Sequence, residues 1–174
     1  MFSEISANNS INQRQSCDAL CEFSGVSAAL YENFTSVPSR LALTFSRSNG
    51  EPERFTYDDV KQRVLSVARI LVQKKLGGSR ALLLFSPGVD YVAAFFGCLQ
   101  AGVIPVPAYP PNTNRDWPRL LSIVNDCDAN TILTMEYFQG AISNWLGKIQ
   151  AREIDCIAVD KIETPLAELV EIPE

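Results

Sequence analysis

Histidine is absent from this sequence. That one absence removes Ser-His-Asp and Cys-His catalysis and every histidine-containing zinc site. Cysteine is sparse and odd in number: Cys17, Cys21, Cys98, Cys127 and Cys156. Their scattered spacing forms no disulfide framework, and Cys17 and Cys21 have no second pair to complete a metal site. Clustered Lys and Arg are missing too, and the net charge is −5, so the chain lacks the footprint of a nucleic-acid binder. The longest apolar run, 89–104, is broken by Asp90, Gln100 and two glycines, which makes it too short and too interrupted for a membrane span. No basic segment followed by an apolar one opens the chain, so no secretory signal is read and the cytoplasm is the expected location. Neither G-x-x-x-x-G-K-[ST] nor G-x-G-x-x-G occurs.

What is present is an ordinary globular composition, 47% hydrophobic and 20% charged over 174 residues. That length suffices for one domain with a sizeable core. Residues 1–24, polar and rich in Asn and Ser at the start, read as a flexible leader; residues 25–174 read as the folded part. A short helix is expected over 28–34, stopping before Pro38, and a strand over 41–46. Asn49-Gly50 signals a hairpin turn into a return strand at 53–55. Thr56 and Asp59 have capping-box spacing. Val60, Val64, Val67, Ala68 and Leu71 then form one apolar stripe of a helix, with Arg63, Ser66, Arg69 and Gln73 opposite and Gly77-Gly78 as the stop.

Residues 81–85 form a continuous apolar run of the kind buried in parallel sheets. Ser86-Pro87 predicts a cap followed by proline at the first helical position. Residues 89–101 are apolar nearly all round, so this helix belongs in the core, Phe95 included, and Gly102 ends it. A strand at 103–106 leads into a proline-rich loop over 105–118. A helix to Cys127 turns Leu120, Ile123, Val124 and Cys127 inward. A strand at 131–134, a helix marked by Phe138, Ile142, Trp145 and Ile149, and a strand at 156–159 follow, before an acidic end from Glu163. The alternation predicts an α/β fold: a mostly parallel sheet with helices on both faces, plus a small antiparallel hairpin.

Ligands of open α/β sheets bind beyond the carboxyl ends of the strands. The turn 85–88 offers helix N-terminal amides to an anion, but Pro87 removes a donor and no Lys follows, so an ordinary strand-to-helix turn is favoured. Residues 105–111 hold four prolines, a rigid segment that suits the wall of a substrate channel and a structural crossover equally. After Thr134, Glu136 reads as a helix first-turn carboxylate rather than a general base. No catalytic residue and no metal ligand is assigned.

Several stretches resemble adenylate-forming enzymes. Phe55-Thr56-Tyr57-Asp58-Asp59-Val60 resembles their "LTYxEL" element, and residues 81–91 their next strand and turn. Residues 95–107 resemble "GxLxAGxxxVP", and Arg119-Leu120 to Leu133-Thr134 resembles "RLxxIxxDxxxxxxLT". The continuation Ala108-Tyr109-Pro110-Pro111 is similar to fatty acyl-AMP ligases rather than to acyl-CoA synthetases. The resemblance covers Gly25 to the end and implies the first part of the large N-terminal domain of such a ligase.

In that family a fatty acid carboxylate attacks the α-phosphorus of ATP with Mg²⁺ present. The acyl group then passes to the phosphopantetheine thiol of an acyl carrier protein, often of a polyketide or peptide synthetase. The family's phosphate loop, adenine segment, ribose-binding Asp and catalytic Lys have no counterpart here, so the fragment alone is expected to be inactive and to hold no cofactor. Pro107, Ala108, Tyr109, Pro110 and Pro111 are the residues assigned to the wall of the acyl channel. An apolar face awaiting the rest of the protein invites self-association. Two other readings stand beside this one: a free-standing, non-catalytic acyl- or carrier-protein-binding domain, and an unrelated flavodoxin-like domain lacking visible phosphate or phospho-acceptor groups.

Overall fold

The structure is a computed structural model that describes residues 25–46, 50–149 and 154–162. The expected leader, Cys17, Cys21, Asn49 of the hairpin turn and the acidic end from Glu163 lie outside the described residues. The chain divides between Val37 and Pro38 into two compact units. In the first, the described element is α1, Val26–Ser36, closed by the Val37 amide on the Asn33 carbonyl at 3.2 Å.

The second unit begins with the hairpin. Strands β1 (Leu41–Phe45) and β2 (Glu53–Thr56) pair antiparallel, with Phe45 opposite Glu53 and an irregularity between Leu41 and Leu43. Helix α2 (Tyr57–Gln73) starts on the predicted capping box. The Asp59 amide donates to Thr56 Oγ1 at 3.2 Å, and the Thr56 amide donates to Asp59 Oδ2 at 2.8 Å. The whole predicted stripe is buried, and so is Ser66, which the sequence placed outside; its hydroxyl donates back to the Gln62 carbonyl at 2.8 Å. The helix stops four residues before the expected Gly77-Gly78. Lys75 takes the left-handed conformation (φ 57°), with its amide on Val72 and the Leu76 amide on Leu71. This is the double closing bond usually built on glycine, made here with a lysine.

The main sheet has four parallel strands in the order β4-β3-β5-β6: β3 (Arg80–Leu84), β4 (Ile104–Ala108), β5 (Thr131–Thr134) and β6 (Asp155–Ala158). Helix α3 (Val89–Gln100) joins β3 to β4, α4 (Asp116–Cys127) joins β4 to β5, and α5 (Glu136–Lys148) joins β5 to β6. Parallel crossovers are right-handed. Stepping outward to β4 and then back across β3 to β5 therefore puts α3 on one face and α4 and α5 on the other.

The core divides accordingly. Ala81, Leu83, Phe85 and Leu133 meet α2 and α3 through Val67, Ala68, Leu71, Ala94 and Cys98. Leu82, Leu84 and Ile132 meet α4 and α5 through Leu120, Val124, Ile142 and Trp145. The Trp117 and Trp145 rings stack 5.1 Å apart within the second layer. Phe95, expected in the core, is only partly buried at its edge.

Two expectations around α3 are corrected. Gly88 precedes the helix with no side-chain cap, so Ser86 does not cap it and Pro87 lies before it rather than in its first turn. The proline-rich segment is not loop from Pro105 onward; its first residues are β4, paired with β3 as Ala81–Pro105 and Leu83–Pro107. A strand accepts these prolines because β4 is an edge. The Ile104 amide donates toward β3, to Ser79 O at 2.9 Å. Amides alternate sides along a strand, so the two prolines fall where an amide would point outward. Gly102 ends α3 as predicted, at φ 66°, with the Val103 amide on Cys98 at 2.8 Å.

Helices α2 and α3 approach closely at Gly97, where an added Cβ would lie 2.7 Å from Val67 Cβ and 3.1 Å from the Val64 carbonyl. Gly97→Ala is expected to lower stability by about 1–3 kcal/mol, through overpacking, in urea unfolding. Unchanged stability would mean that the two helices part without cost. At the start of α2, hydrogen bonds from the Thr56 side chain and backbone hold the Asp59 carboxyl below its ordinary 3.8. The folded-state pKa is depressed, so this stabilisation is present above 3.8 and is lost as pH falls below it. Asp59→Ala should cost about 1 kcal/mol near neutrality. Its difference from the parent in thermal melts should shrink in acid.

Candidate functional site

The carboxyl ends of β3 and β4 open into a cleft of about 440 Å³, lined by Phe85, Ser86, Pro87, Tyr91, Pro107, Ala108, Tyr109, Arg119 and Ile123. Each side comes from a separate element. The turn after β3 supplies Phe85 to Pro87, the first turn of α3 supplies Tyr91, and the end of β4 supplies Pro107 and Ala108. Arg119 and Ile123 sit one turn apart on α4, which crosses behind β4. The Phe85 and Tyr91 rings meet edge-on at 6.3 Å and fix the inner wall. Tyr109, 78% exposed, stands at the mouth.

Of the five residues assigned to a channel wall, Pro107, Ala108 and Tyr109 line this cleft. Pro110 and Pro111 are not among its lining residues, and Pro110 is buried. Tyr91, Arg119 and Ile123 were not assigned to a site from the sequence; Ile123 was read only as an inward helix residue and Arg119 only as part of a family-like stretch. Nothing in their spacing signals a site; the crossover of α4 brings them there. The loop before α4 is fixed by Asp116, whose Oδ2 accepts the Asn112 amide at 3.0 Å and the Thr113 amide at 2.8 Å. These bonds, with the Thr113 hydroxyl, hold the Asp116 carboxyl below its ordinary range.

The cleft is mostly apolar, with one guanidinium and two phenols. No carboxylate or thiol is among the described residues that line it. It can shelter a hydrocarbon and orient an anion, but it carries no general base. The turn 85–88 is a poor anion cradle, because Asp90 already occupies the first turn of α3. Burial raises the Asp90 pKa despite Arg63 at 3.3 Å; Asp160 and Glu53 add repulsion.

A second polar group lies at the ends of β5 and β6. Asp160 Oδ1 accepts the Glu136 amide at 2.8 Å, and Lys161 Nζ lies 2.9 Å from Glu136 Oε2. Glu136 is thus a first-turn carboxylate engaged in an exposed pair, as the sequence suggested. Among the described residues no group of three or more His, Cys, Asp or Glu is assembled for a metal ion, and no helix is long and apolar enough to cross a membrane. Among the described residues the donors lining the cleft are one exposed arginine and hydroxyls, with no carboxylate, a set that fits neither nucleotide phosphates nor magnesium.

A parallel sheet layered by helices, with an antiparallel hairpin beside it, is the architecture of the N-terminal domains of adenylate-forming enzymes. Residues 30–172 match the AMP-binding enzyme family, and the chain belongs to it. The medium-chain-fatty-acid–[acyl-carrier-protein] ligase JamA of Moorena producens is 35% identical over 143 residues, covering 78% of this chain and 24% of JamA. The long-chain-fatty-acid–AMP ligase FadD23 of Mycobacterium tuberculosis is 36% identical over 95 residues, 55% of this chain and 16% of FadD23. The crystal structure of a fatty acyl-adenylate ligase from L. pneumophila, in complex with acyl adenylate and pyrophosphate, superposes with a TM-score of 0.72 at 28% identity, covering 83% of this chain and 25% of that one. Likeness to fatty acyl-AMP ligases is therefore found both in sequence and in fold. The chain spans about a quarter of the length of JamA and of the L. pneumophila chain.

Burial pushes the Cys98 thiol up to about 12. Iodoacetamide near neutral pH should therefore modify Cys98 only as fast as the domain opens. Labelling that outpaces opening would place this thiol outside the core.

Proposed function

We propose that this chain is a scaffold portion of a fatty acyl-AMP ligase, whose intact-length form activates a fatty acid with ATP and passes the acyl group to an acyl carrier protein. The observation that carries the reading is the proline corner at the end of β4. The chain around it is similar to fatty acid ligases, and three residues of the corner, Pro107, Ala108 and Tyr109, line an apolar cleft. In this reading Pro107, Ala108 and Tyr109 wall part of the acyl path, and Arg119 faces the polar end of what enters. ATP and Mg²⁺ are held by residues outside this chain, so the 174 residues do no adenylation alone. The setting proposed for this activity is the cytoplasm, where ATP is supplied.

The test is pyrophosphate release from ATP and Mg²⁺ with medium- and long-chain fatty acids, measured on the intact-length protein and on this chain. The intact-length protein should release pyrophosphate and load a phosphopantetheinylated carrier; this chain should do neither. Turnover by the 174-residue chain, or none by the intact-length protein, would overturn the proposal. The apolar cleft beside one arginine also favours a second reading, acyl binding without catalysis. Calorimetry of this chain with a long-chain fatty acid tests it: heat and a thermal shift that Ala108→Trp abolishes support it, and no heat removes it.

A further inference from the structure

Helix α3 begins without firm fastenings of its own. Its N-cap residue, Gly88, has no side chain to bond, and the first closing bond, from the Val92 amide to the Gly88 carbonyl, is stretched to 3.5 Å. Such bonds normally measure about 2.7–3.2 Å. This turn belongs to the wall of the cleft: Ser86 and Pro87 precede it, and Tyr91 lies within it. A hold on it comes from a neighbouring helix. Arg63 of α2 places Nη1 3.3 Å from Asp90 Oδ1. The same guanidinium lies 5.5 Å from the centre of the Phe55 ring on β2, and Phe55 meets Phe45 of β1 edge-on at 6.2 Å. Asp90 is the group that needs a cation. It is half-buried, and two like charges act on it: Asp160, after β6, and Glu53, on β2. Burial is the chief cause that lifts its pKa above 3.8, and Arg63 is the cation that opposes the rise.

We infer that Arg63 is a positioning residue for the cleft: it neutralises the Asp90 carboxylate beside Asp160 and Glu53, and so keeps the first turn of α3, with Tyr91, where the wall receives an acyl chain. The inference rests on the reading of the cleft as part of the acyl path. As a partly exposed contact the pair adds little to overall stability. Removing one partner is a different change, because it leaves a half-buried carboxylate facing like charges. The turn that must absorb this repulsion is the one whose own closing bond is long. A wall that becomes ordered only when its ligand arrives loses affinity by the cost of that ordering. A neutral amide at position 90 needs no cation, so the requirement for Arg63 disappears with the charge.

Two measurements test the inference: hydrogen exchange at the Val92 amide of this chain, and pyrophosphate-release kinetics of the intact-length protein with a long-chain fatty acid. Arg63→Gln should speed Val92 exchange at least ~10-fold. It should raise KM for the fatty acid ~5-fold or more with kcat little changed. Adding Asp90→Asn should bring both readings back to within ~2-fold of the parent, a non-additive coupling. The Arg63→Gln effect should also fade as pH falls. The folded-state pKa of Asp90 is raised, so its charge destabilises the fold above that pKa and ceases to as the carboxyl takes up a proton. A packing role for Arg63 would show neither the rescue nor the pH dependence. Val92 exchange indifferent to Arg63→Gln, or a double variant as impaired as the single one, overturns the inference. If Arg63→Gln does not fold, a folded double variant with slow Val92 exchange upholds it, and a double variant that also fails to fold overturns it. An active intact-length protein whose KM ignores Arg63→Gln sinks this inference alone. An inactive one, with a Val92 amide that follows Arg63 and is rescued at position 90, sinks only the functional reading.

Discussion

From Ala81 to Leu84, β3 has no side chain in contact with water. It is hydrogen-bonded to β4 on one side and β5 on the other, so its faces alone are left to be covered. Odd and even positions face different layers, and both layers must form for the strand to be buried. Leu83 needs α2 and α3, and Leu82 and Leu84 need α4 and α5. Apolar burial is worth roughly 25 cal/mol per Å², so this one strand couples the stability of the two layers. The cleft inherits its geometry from the same strand, because Phe85 and the turn after it form the inner wall.

The exposed ion pairs add little to this. Arg63–Asp90, Lys74–Asp155 and Lys161–Glu136 join neighbouring elements at 3.3, 2.6 and 2.9 Å. Pairs of this kind are typically worth about 0–1 kcal/mol. Specific polar contacts matter more where they are buried. The Thr134 hydroxyl donates to the Leu84 carbonyl at 2.8 Å, tying β5 to β3 at the rim where the site opens. Among the described residues no buried side-chain polar atom lacks a partner.

Periodicity made most of the fold legible. The Val60–Leu71 stripe, the apolar run of β3 and the strand Thr131–Thr134 each follow from local pattern, and the capping box needs only Thr56 and Asp59. Stops and starts were harder. The end of α2 is set by Lys75 in a conformation that favours glycine, and the nearby Gly77-Gly78 drew the prediction past it. Pro105 and Pro107 suggested loop because a sequence does not reveal which strand is an edge, and only an edge tolerates them. The cleft was half visible. Residues 107–109 stood out by composition, whereas Tyr91, Arg119 and Ile123 arrive through tertiary crossover. The family was legible because stretches spread along the chain, at 55–60, 81–91 and 95–111, resemble its elements, and the family match spans residues 30–172.

The chain has two tryptophans, and they are the stacked pair Trp117 and Trp145. Intrinsic fluorescence excited at the indole band therefore reports on the α4–α5 layer and is blind to the α2–α3 layer. Far-ultraviolet dichroism sees both. Superimposable curves from the two signals would show directly that β3 makes the layers melt as one, and an earlier loss of indole signal would mark the α4–α5 layer as the first to loosen.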